Sequence, residues 1–185
     1  PAATGVQVAV RAAVNDAYRM GRSDGSLPGN MDLRPYLSVN SEFIRTALEG
    51  GDIPAANAML GMPYAIRFAV QHGAGLGHTL GVPTINQLYP QGFQMPRSGI
   101  YITRTCINGV WYPSATGLGS RPTVNDDATK VTCETFIPGF SGNLYGTDPV
   151  VEFHAYLSPS KKFDTLDQLR DCINDAARRA QEYFA

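Results

Sequence analysis

The spacing of hydrophobic and polar residues divides this chain into three regions. Residues 1–61 are rich in alanine and carry apolar residues at helical spacing. Residues 64–157 change to short runs of β-branched and aromatic residues bounded by Gly, Pro, Asn or Asp, which is typical of strands. Residues 165–184 return to helical spacing. We therefore expect a helical N-terminal segment over residues 1–61 and a β domain over residues 62–185 that ends in a helix.

Three helices are predicted in the N-terminal segment. The first lies around residues 10–18 and is followed by the loop "GRSDGSLPGN". The second ends at Gly50–Gly51, because glycine favours helix termination. The third has Asp52 as its N-cap and Pro54 in its first turn, and it stops at Gly61.

The β domain is predicted to be a small antiparallel, Greek-key-like barrel of six strands with a C-terminal α-helix, so the chain is mainly β. Asn108–Gly109, between two strand-like runs, is a strong signal of a hairpin. Thr165 and Gln168 form a capping-box pattern at the start of the C-terminal helix. The strand-like runs are "YAIRFAVQH", "GIYITRTCI", "VWYPSAT", "KVTCETFI" and "VVEFHAYL", with the extended stretch "PTIN" beside them.

Composition narrows the class of protein. The 185 residues include 43% hydrophobic and 17% charged residues, which excludes a disordered chain. The chain lacks the run of about eighteen apolar residues that a membrane span needs, and its net charge of −1 provides no basic field for nucleic acid. The three cysteines are far apart without a CxxC pair, and no signal-peptide pattern occurs, so we expect a cytoplasmic protein.

The distribution of charge is more informative than its total. From Ile53 to Asn125 the chain has no Asp or Glu, while the same stretch contains four arginines. A stretch without carboxylates suits a polyanionic ligand, because acidic side chains near phosphates would repel them. Chance depletion of acids in a β-rich segment explains the same observation equally well.

The segment "HGAGLGHTLGVPTIN", residues 72–86, is a candidate phosphate-binding loop. It fits neither the Walker pattern, which needs a lysine, nor the glycine spacing of the Rossmann fingerprint. Gly75, Gly77 and Gly81 would still let backbone N–H groups come close to a phosphate. A flexible hairpin loop accounts for these glycines as well, so the loop alone leaves both interpretations open.

The end of this segment adds candidate metal ligands. Pro83 stiffens the backbone just before Thr84. In an extended chain Thr84 and Asn86 point to the same face and offer neutral oxygen donors. A Mg²⁺ ion carried by ATP needs few protein ligands, because phosphates and water complete its shell. Neutral donors at Thr84 and Asn86, in a stretch without carboxylates, fit a metal ion that such a substrate carries.

A series of motifs along the chain resembles the riboflavin kinase (flavokinase) family, covering residues 62–184. The chain is similar to the flavokinase module that bacteria usually carry at the C-terminus of a bifunctional FAD synthetase. The resemblance implies that the γ-phosphate of ATP is transferred to riboflavin, giving FMN and ADP. The motifs, in order, are "HTLGVPTIN", "GLGSRPTV", "VTCETFI", "GNLYG" and "KKFDTLDQL".

The resemblance also implies roles for individual residues. Glu134 would be the general base on the ribityl hydroxyl, although a solvent-facing strand residue would look the same in isolation. Arg121 would contact nucleotide or flavin, or simply brace its loop. Tyr145 and Phe163 are candidates for the flavin pocket, and core packing would explain both as well. The implied nucleotide-binding residues are Gly75, Gly77, His78, Thr79, Gly81, Thr84 and Asn86, and the resemblance implies that the last two bind Mg²⁺.

The N-terminal segment raises a separate question. The stretch "VNSEFIRTALEGG" is similar to the linker that follows the adenylyltransferase module, and the H-x-G-H-type signature of that module is absent from this chain. We therefore expect kinase activity without adenylyltransferase activity. Two alternatives are a flavin-binding barrel without catalysis and a fragment of a bifunctional FAD synthetase. A flavin-sensing regulator that binds nucleic acid is disfavoured by the scarcity of lysine.

Overall fold

In the computed structural model the chain is divided into two compact units. One unit ends at Tyr64 and the other runs from Ala65 to Ala185. The predicted helix around residues 10–18 lies outside the described residues, and the assignment of residues 1–61 and 62–185 as domains stays a prediction. The structure describes residues 41–73, 81–90, 92–120, 131–161 and 163–185.

Two short helices form the described part of the first unit. Helix α1 is Ser41–Gly50 and helix α2 is Ile53–Leu60. The side chain of Asp52 accepts a hydrogen bond from the backbone N–H of Ala55 at 3.1 Å, which caps α2 at its start. Gly61 ends α2 in the left-handed conformation, with φ of 69°. The predicted end of α1 and both predicted limits of α2 are confirmed.

The second unit contains one curled sheet of seven strands and a C-terminal helix. Consecutive strands β4, β5 and β6 are neighbours, and β7 returns to the other side of β4, which is the Greek-key order. Across the sheet the order is β1-β7-β4-β5-β6-β3-β2. The strands are β1 Tyr64–Arg67, β2 Val70–Gln71, β3 Thr84–Leu88, β4 Gly99–Ile107, β5 Val110–Ser120, β6 Val131–Phe136 and β7 Val150–Ser158.

The predicted fold class is confirmed, with seven strands in the described part of the chain where six were predicted. The run "YAIRFAVQH" is broken at Phe68 and Ala69, so it supplies both β1 and β2. Strand β5 continues beyond the predicted run to Ser120. The predicted hairpin is present, because Asn108 and Gly109 both have positive φ, at 51° and 81°, as a tight two-residue turn requires.

The two edges of the sheet are held close together by the chain itself. Strands β1 and β2 lie at opposite ends of the sheet order, yet only Phe68 and Ala69 separate them in sequence. Since each residue spans at most about 3.5 Å, the edges lie within roughly 10 Å of one another at this point. A flat sheet of seven strands would be far wider, so the sheet curls into a half-barrel.

A buried glutamine bridges the gap between these edges. Gln87 of β3 has no exposed surface. Its side-chain amide donates to the backbone oxygens of Phe68 at 2.6 Å and Pro149 at 3.0 Å. These carbonyls lie between β1 and β2 and just before β7, so one side chain connects three parts of the barrel.

The inside of the half-barrel is lined by hydroxyl groups that bond to one another. Five fully buried residues, Thr103, Thr105, Ser114, Thr116 and Thr135, share this network. The Thr103 hydroxyl lies 2.8 Å from those of both Ser114 and Thr116. The Thr105 hydroxyl lies 2.9 Å from that of Ser114, and the Thr116 hydroxyl lies 2.9 Å from that of Thr135. The four bonds form a chain in which Ser114, Thr103 and Thr116 each contact two other hydroxyls, so these three can both donate and accept.

Helix α3, Leu166–Tyr183, packs on the outer face of the sheet. Its N-cap Thr165 accepts a hydrogen bond from the backbone N–H of Gln168 at 3.3 Å, as the capping pattern predicts. Small residues make the closest contact, because Ala176 and Ala177 pack with Ala115 of β5. Within the described ranges no helix has the length and apolar composition needed to cross a membrane.

We predict that Gln87→Leu destabilises the second unit by about 1–3 kcal/mol for each buried carbonyl that it leaves unsatisfied. The substitution keeps an apolar body of similar length but removes both hydrogen bonds that link the edges of the sheet. The free energy of unfolding from urea titration, followed by fluorescence, measures the effect.

Gln181→Leu is the control, because Gln181 is exposed on α3 and its replacement should change the free energy of unfolding by no more than about 0.5 kcal/mol. Equal effects of the two substitutions would show that Gln87 does not tie the barrel together.

Candidate functional site

Strand pairing brings the predicted metal ligands and the predicted base to one face of the sheet. In the β3–β6 pair, Asn86 lies opposite Glu134 and Thr84 lies opposite Phe136. In the β5–β6 pair, Glu134 lies opposite Gly117. Directly opposed residues point to the same side of a sheet, so Thr84, Asn86 and Glu134 share the outer face on which α3 packs.

A cavity of about 300 Å³ lies between this outer face and α3, and we call it the helix-side cavity. Thr84 and Glu134 both line it, as does Phe163 from the loop that precedes α3. Its remaining walls are largely apolar. They are formed by Ile100, Ala115, Thr116, Gly117, Leu118, Gly119, Thr132, Phe136, Ser160, Lys161, Leu169, Cys172, Ile173 and Ala176.

A second cavity, of about 460 Å³, opens at the start of β3, and we call it the loop-side cavity. Thr84 lines this cavity too and is therefore common to both. Tyr145 lies on its rim, 55% exposed, and stacks on His72 with the ring centres 4.0 Å apart. Its other walls are Val70, Pro83, Ile85, Thr135, Ile137, Phe140, Ser141, Gly142, Asn143 and Leu144.

The glycine-rich segment begins in close contact with Asn86. A Cβ atom built on Gly73 would fall on the side-chain amide of Asn86, far inside contact distance. Only a glycine lets the backbone cross this amide without displacing it. The position of the Asn86 side chain therefore depends on the absence of a side chain at residue 73.

Alternation along β6 separates an inert thiol from the carboxylate beside it. Cys133 points inward and is completely buried. Burial raises the pKa of its thiol to about 12, with a smaller contribution in the same direction from Glu134. The thiol therefore stays protonated at neutral pH, whereas Glu134, on the opposite side of the strand, is only partly buried and borders the cavity.

The helix-side cavity also contains a thiol of its own. Cys172 of α3 is half-buried, and burial raises its pKa, while the positive charge of Lys161 acts in the opposite direction. Among the described residues no three His, Cys, Asp or Glu side chains come together in a way that could hold a metal ion.

The structure brings together some of the residues that the sequence analysis proposed. Thr84, Glu134 and Phe163 line one cavity, and Asn86 is paired with Glu134 across two strands. Tyr145 lies apart from them in the loop-side cavity. Gly81 is exposed, with a left-handed φ of 73°. Five proposed residues lie outside the described residues: Gly75, Gly77, His78, Thr79 and Arg121.

Several cavity residues were not proposed from the sequence. Cys172 lies on the same helical face as Leu169 and Ala176, so the apolar stripe of α3 contained the signal for it. Gly117 and Gly119 were read as part of a motif after a strand, whereas they lie inside β5 with their outer side toward the cavity. No spacing rule would have predicted that α3 lies above them.

The arrangement has a clear chemical capacity. A carboxylate at the wall of a largely apolar cavity can accept a proton from a substrate hydroxyl. The Thr84 hydroxyl and the Asn86 amide oxygen are hard oxygen donors of the kind that Mg²⁺ prefers. Both donors lie beside that carboxylate, so these residues fit a metal-bound polyphosphate next to a hydroxyl acceptor.

Comparisons with known proteins identify the family of this chain. A sequence model of the flavokinase family, described as riboflavin kinase, matches residues 60–184. A bifunctional riboflavin kinase/FMN adenylyltransferase from Bacillus subtilis is 30% identical over 80% of this chain and 47% of its own length. One of the same name from Pseudomonas fluorescens is 36% identical over 78% of this chain and 46% of its length. The chain thus spans about half the length of the curated relatives it matches.

A solved structure has the same fold. It is described as a macrolide-efflux protein from Streptococcus pneumoniae and aligns with a TM-score of 0.70 and 28% identity, over 77% of this chain and 46% of that one. The family model covers the whole described sheet from β1 onward and all of α3. The chain therefore belongs to the flavokinase (riboflavin kinase) family.

Proposed function

We propose that this chain catalyses the transfer of the γ-phosphoryl group of ATP to the terminal ribityl hydroxyl of riboflavin. The hydroxyl oxygen forms a bond to the γ-phosphorus, and the bond from that phosphorus to the β–γ bridging oxygen breaks. The proton of the hydroxyl passes to Glu134, and the products are FMN and ADP. The observation that carries the proposal is that Thr84 and Glu134 line one cavity.

The two cavities suit the two substrates. The helix-side cavity is lined mainly by apolar side chains such as Phe136, Phe163 and Ile173, which fits the flat and largely apolar ring of a flavin. The loop-side cavity is bordered by Tyr145, which stacks on His72 at the start of the glycine-rich segment, and this position fits a nucleotide. Thr84 borders both cavities, so it stands where a phosphoryl group would pass from one substrate to the other.

In this proposal the Thr84 hydroxyl and the Asn86 amide oxygen would hold the Mg²⁺ that accompanies ATP. The ion supplies neutralisation of phosphate charge when it is bound. Thr84 and Asn86 orient the polyphosphate, and Glu134 holds the proton of the acceptor hydroxyl. We assign phosphate contacts to the glycine-rich segment, namely to Gly75, Gly77, His78, Thr79 and Gly81. Arg121, Phe163 and Tyr145 remain candidate substrate contacts.

The proposal extends to the organisation of the chain. Residues 62–185 form the kinase domain, and residues 1–61 are a helical segment that is either a remnant or a linker of an adenylyltransferase module. All three cysteines are free, as expected for a protein that works in the reducing cytoplasm beside its substrate ATP. The structural relative is named for macrolide efflux. The carboxylate and oxygen donors described above do not point to that activity, so we do not propose it for this chain.

We predict that the parent chain converts riboflavin and Mg-ATP into FMN and ADP without forming FAD. We also predict that Glu134→Gln lowers kcat by about 10²- to 10⁴-fold relative to the parent. The amide keeps the shape of the side chain but does not accept the proton of the hydroxyl. Riboflavin affinity should be retained. Chromatographic separation of flavins measures turnover, and quenching of riboflavin fluorescence measures binding.

Glu182→Gln is the matched control, because Glu182 is an exposed carboxylate on α3 and its loss should leave kcat unchanged. A Glu134→Gln variant with full turnover would refute the catalytic role. A parent chain that binds riboflavin without phosphorylating it would favour the alternative of a flavin-binding barrel without catalysis.

We predict that Gly73→Ala raises KM for Mg-ATP and lowers kcat while leaving the fold intact. The added methyl group would occupy the position of the Asn86 amide, which must move away from the metal-bound phosphates. Steady-state kinetics at varied Mg-ATP, with circular dichroism as the check on folding, test this.

Gly50→Ala serves as the control substitution, since a Cβ at Gly50 meets no atom within 4 Å. Unchanged Mg-ATP kinetics in Gly73→Ala would mean that the position of Asn86 does not matter for the nucleotide.

We predict that riboflavin slows the alkylation of Cys172 and leaves that of Cys106 unchanged. Cys172 lines the helix-side cavity, whereas Cys106 borders a different one. Because burial raises the pKa of Cys172, the reaction with iodoacetamide is best followed above about pH 8.5, the usual pKa of a thiol. Mass spectrometry of peptides gives both rates in one sample, and equal rates for Cys172 with and without riboflavin would place the flavin elsewhere.

A further inference from the structure

The outer side of β5 lacks side chains at the two positions that face the helix-side cavity. Gly117 lies directly opposite Glu134, and Gly119 lies opposite Thr132. Both glycines line the cavity, together with Cys172 of α3. Glycine inside a strand is unfavourable compared with residues that carry a Cβ, so two of them in a central strand call for a reason.

The protein itself does not require glycine at either position. Neither residue has a left-handed backbone conformation. A Cβ on Gly117 would lie 3.7 Å from Cδ1 of Ile100 and 3.9 Å from the backbone oxygen of Glu134, which are ordinary contacts. A Cβ on Gly119 would lie 3.6 Å from Oγ of Ser160. The fold would accept alanine at both positions, so the space that the glycines leave open belongs to the cavity.

The geometry of the sheet indicates which part of a ligand would occupy this space. Neighbouring strands are about 4.8 Å apart, and the order from β3 through β6 to β5 runs from Thr84 past Glu134 to the two glycines. A phosphoryl acceptor places its reacting hydroxyl near Glu134 and Thr84. The rest of the acceptor then extends over β5, between the glycines and α3.

We propose that Gly117 and Gly119 form the floor of a slot that admits the flat ring of the flavin and thereby select the acceptor substrate. This inference rests on the proposed kinase function for the identity of the ligand. Close contact of α3 with β5 at Ala115 and Ala176 closes one end of the slot, and the bare glycine backbone beyond it leaves room for a planar ring. The two glycines are specificity-determining residues, with no part in the proton transfer.

The test is to replace each glycine by alanine and to measure ring binding separately from turnover. We expect Gly119→Ala and Gly117→Ala each to weaken the binding of riboflavin by about 10- to 200-fold, the range for one methyl group in a fitted pocket. Lumiflavin, which has the ring without the ribityl chain, should lose affinity by the same factor. KM for Mg-ATP should be unchanged, and the unfolding midpoint in urea should be equal to or higher than that of the parent.

Gly50→Ala is again the control for a methyl group that meets no other atom. The slot proposal is wrong if both glycine variants bind riboflavin and lumiflavin as tightly as the parent does. It is also wrong if the variants keep flavin binding and instead show a higher KM for Mg-ATP. Flavin binding is measured without ATP, so the outcome does not depend on catalysis. If the parent binds riboflavin but makes no FMN, and the alanine variants lose that binding, the slot stands while the kinase function fails.

Discussion

Hydrogen bonds between buried hydroxyl groups lock the register of three strands, and the outer face depends on that register. Thr116 of β5 bonds to Thr103 of β4 on one side and to Thr135 of β6 on the other. A shift of any of these strands by one residue would break the bonds and turn its inward residues outward. In the observed register Glu134, next to Thr135 in sequence, faces outward opposite Gly117.

Strand β3 places Asn86 on the same face of the sheet as Glu134. Strand β3 pairs with β6 along five residues, and Gln87 of β3 donates from inside the barrel to the carbonyl of Phe68, in the link that joins the two edges of the sheet. Gln87 points inward, so its neighbour Asn86 points outward, opposite Glu134. The same strand therefore supplies an inward amide that connects parts of the barrel and an outward amide opposite Glu134. Gly73 approaches the Asn86 amide so closely that the backbone at this point leaves no room for a Cβ atom.

Helix α3 converts this face into a cavity. Contact between small residues, Ala115 on β5 and Ala176 on α3, lets the helix approach closely at one point. Toward the start of the helix the facing strand carries only glycine on its outer side, so a space remains between the two elements. The cavity thus arises from a difference in side-chain size along one strand, and the carboxylate of Glu134 stands at its wall.

Much of the fold was predictable because its signals are local. Asp52 and Gly61 mark the ends of α2, Asn108–Gly109 forms a tight turn, and Thr165 caps α3, each through contacts with residues a few positions away. The break of the first run into β1 and β2 was not predictable, because continuous hydrophobicity does not show which edge of a sheet each half will join.

The site divides in the same way. The sequence by itself determined that Thr84 and Asn86 share a face, that Glu134 lies on a strand, and that the motifs are those of flavokinases, because alternation and motif order are properties of the chain alone. Only the tertiary structure decided that Asn86 lies opposite Glu134. It also decided that Phe163 lines the helix-side cavity while Tyr145 lines the loop-side cavity, and that α3 lies over Gly117 and Gly119. These relations depend on which strands pair and where a helix packs, and they are set by contacts between residues far apart in sequence.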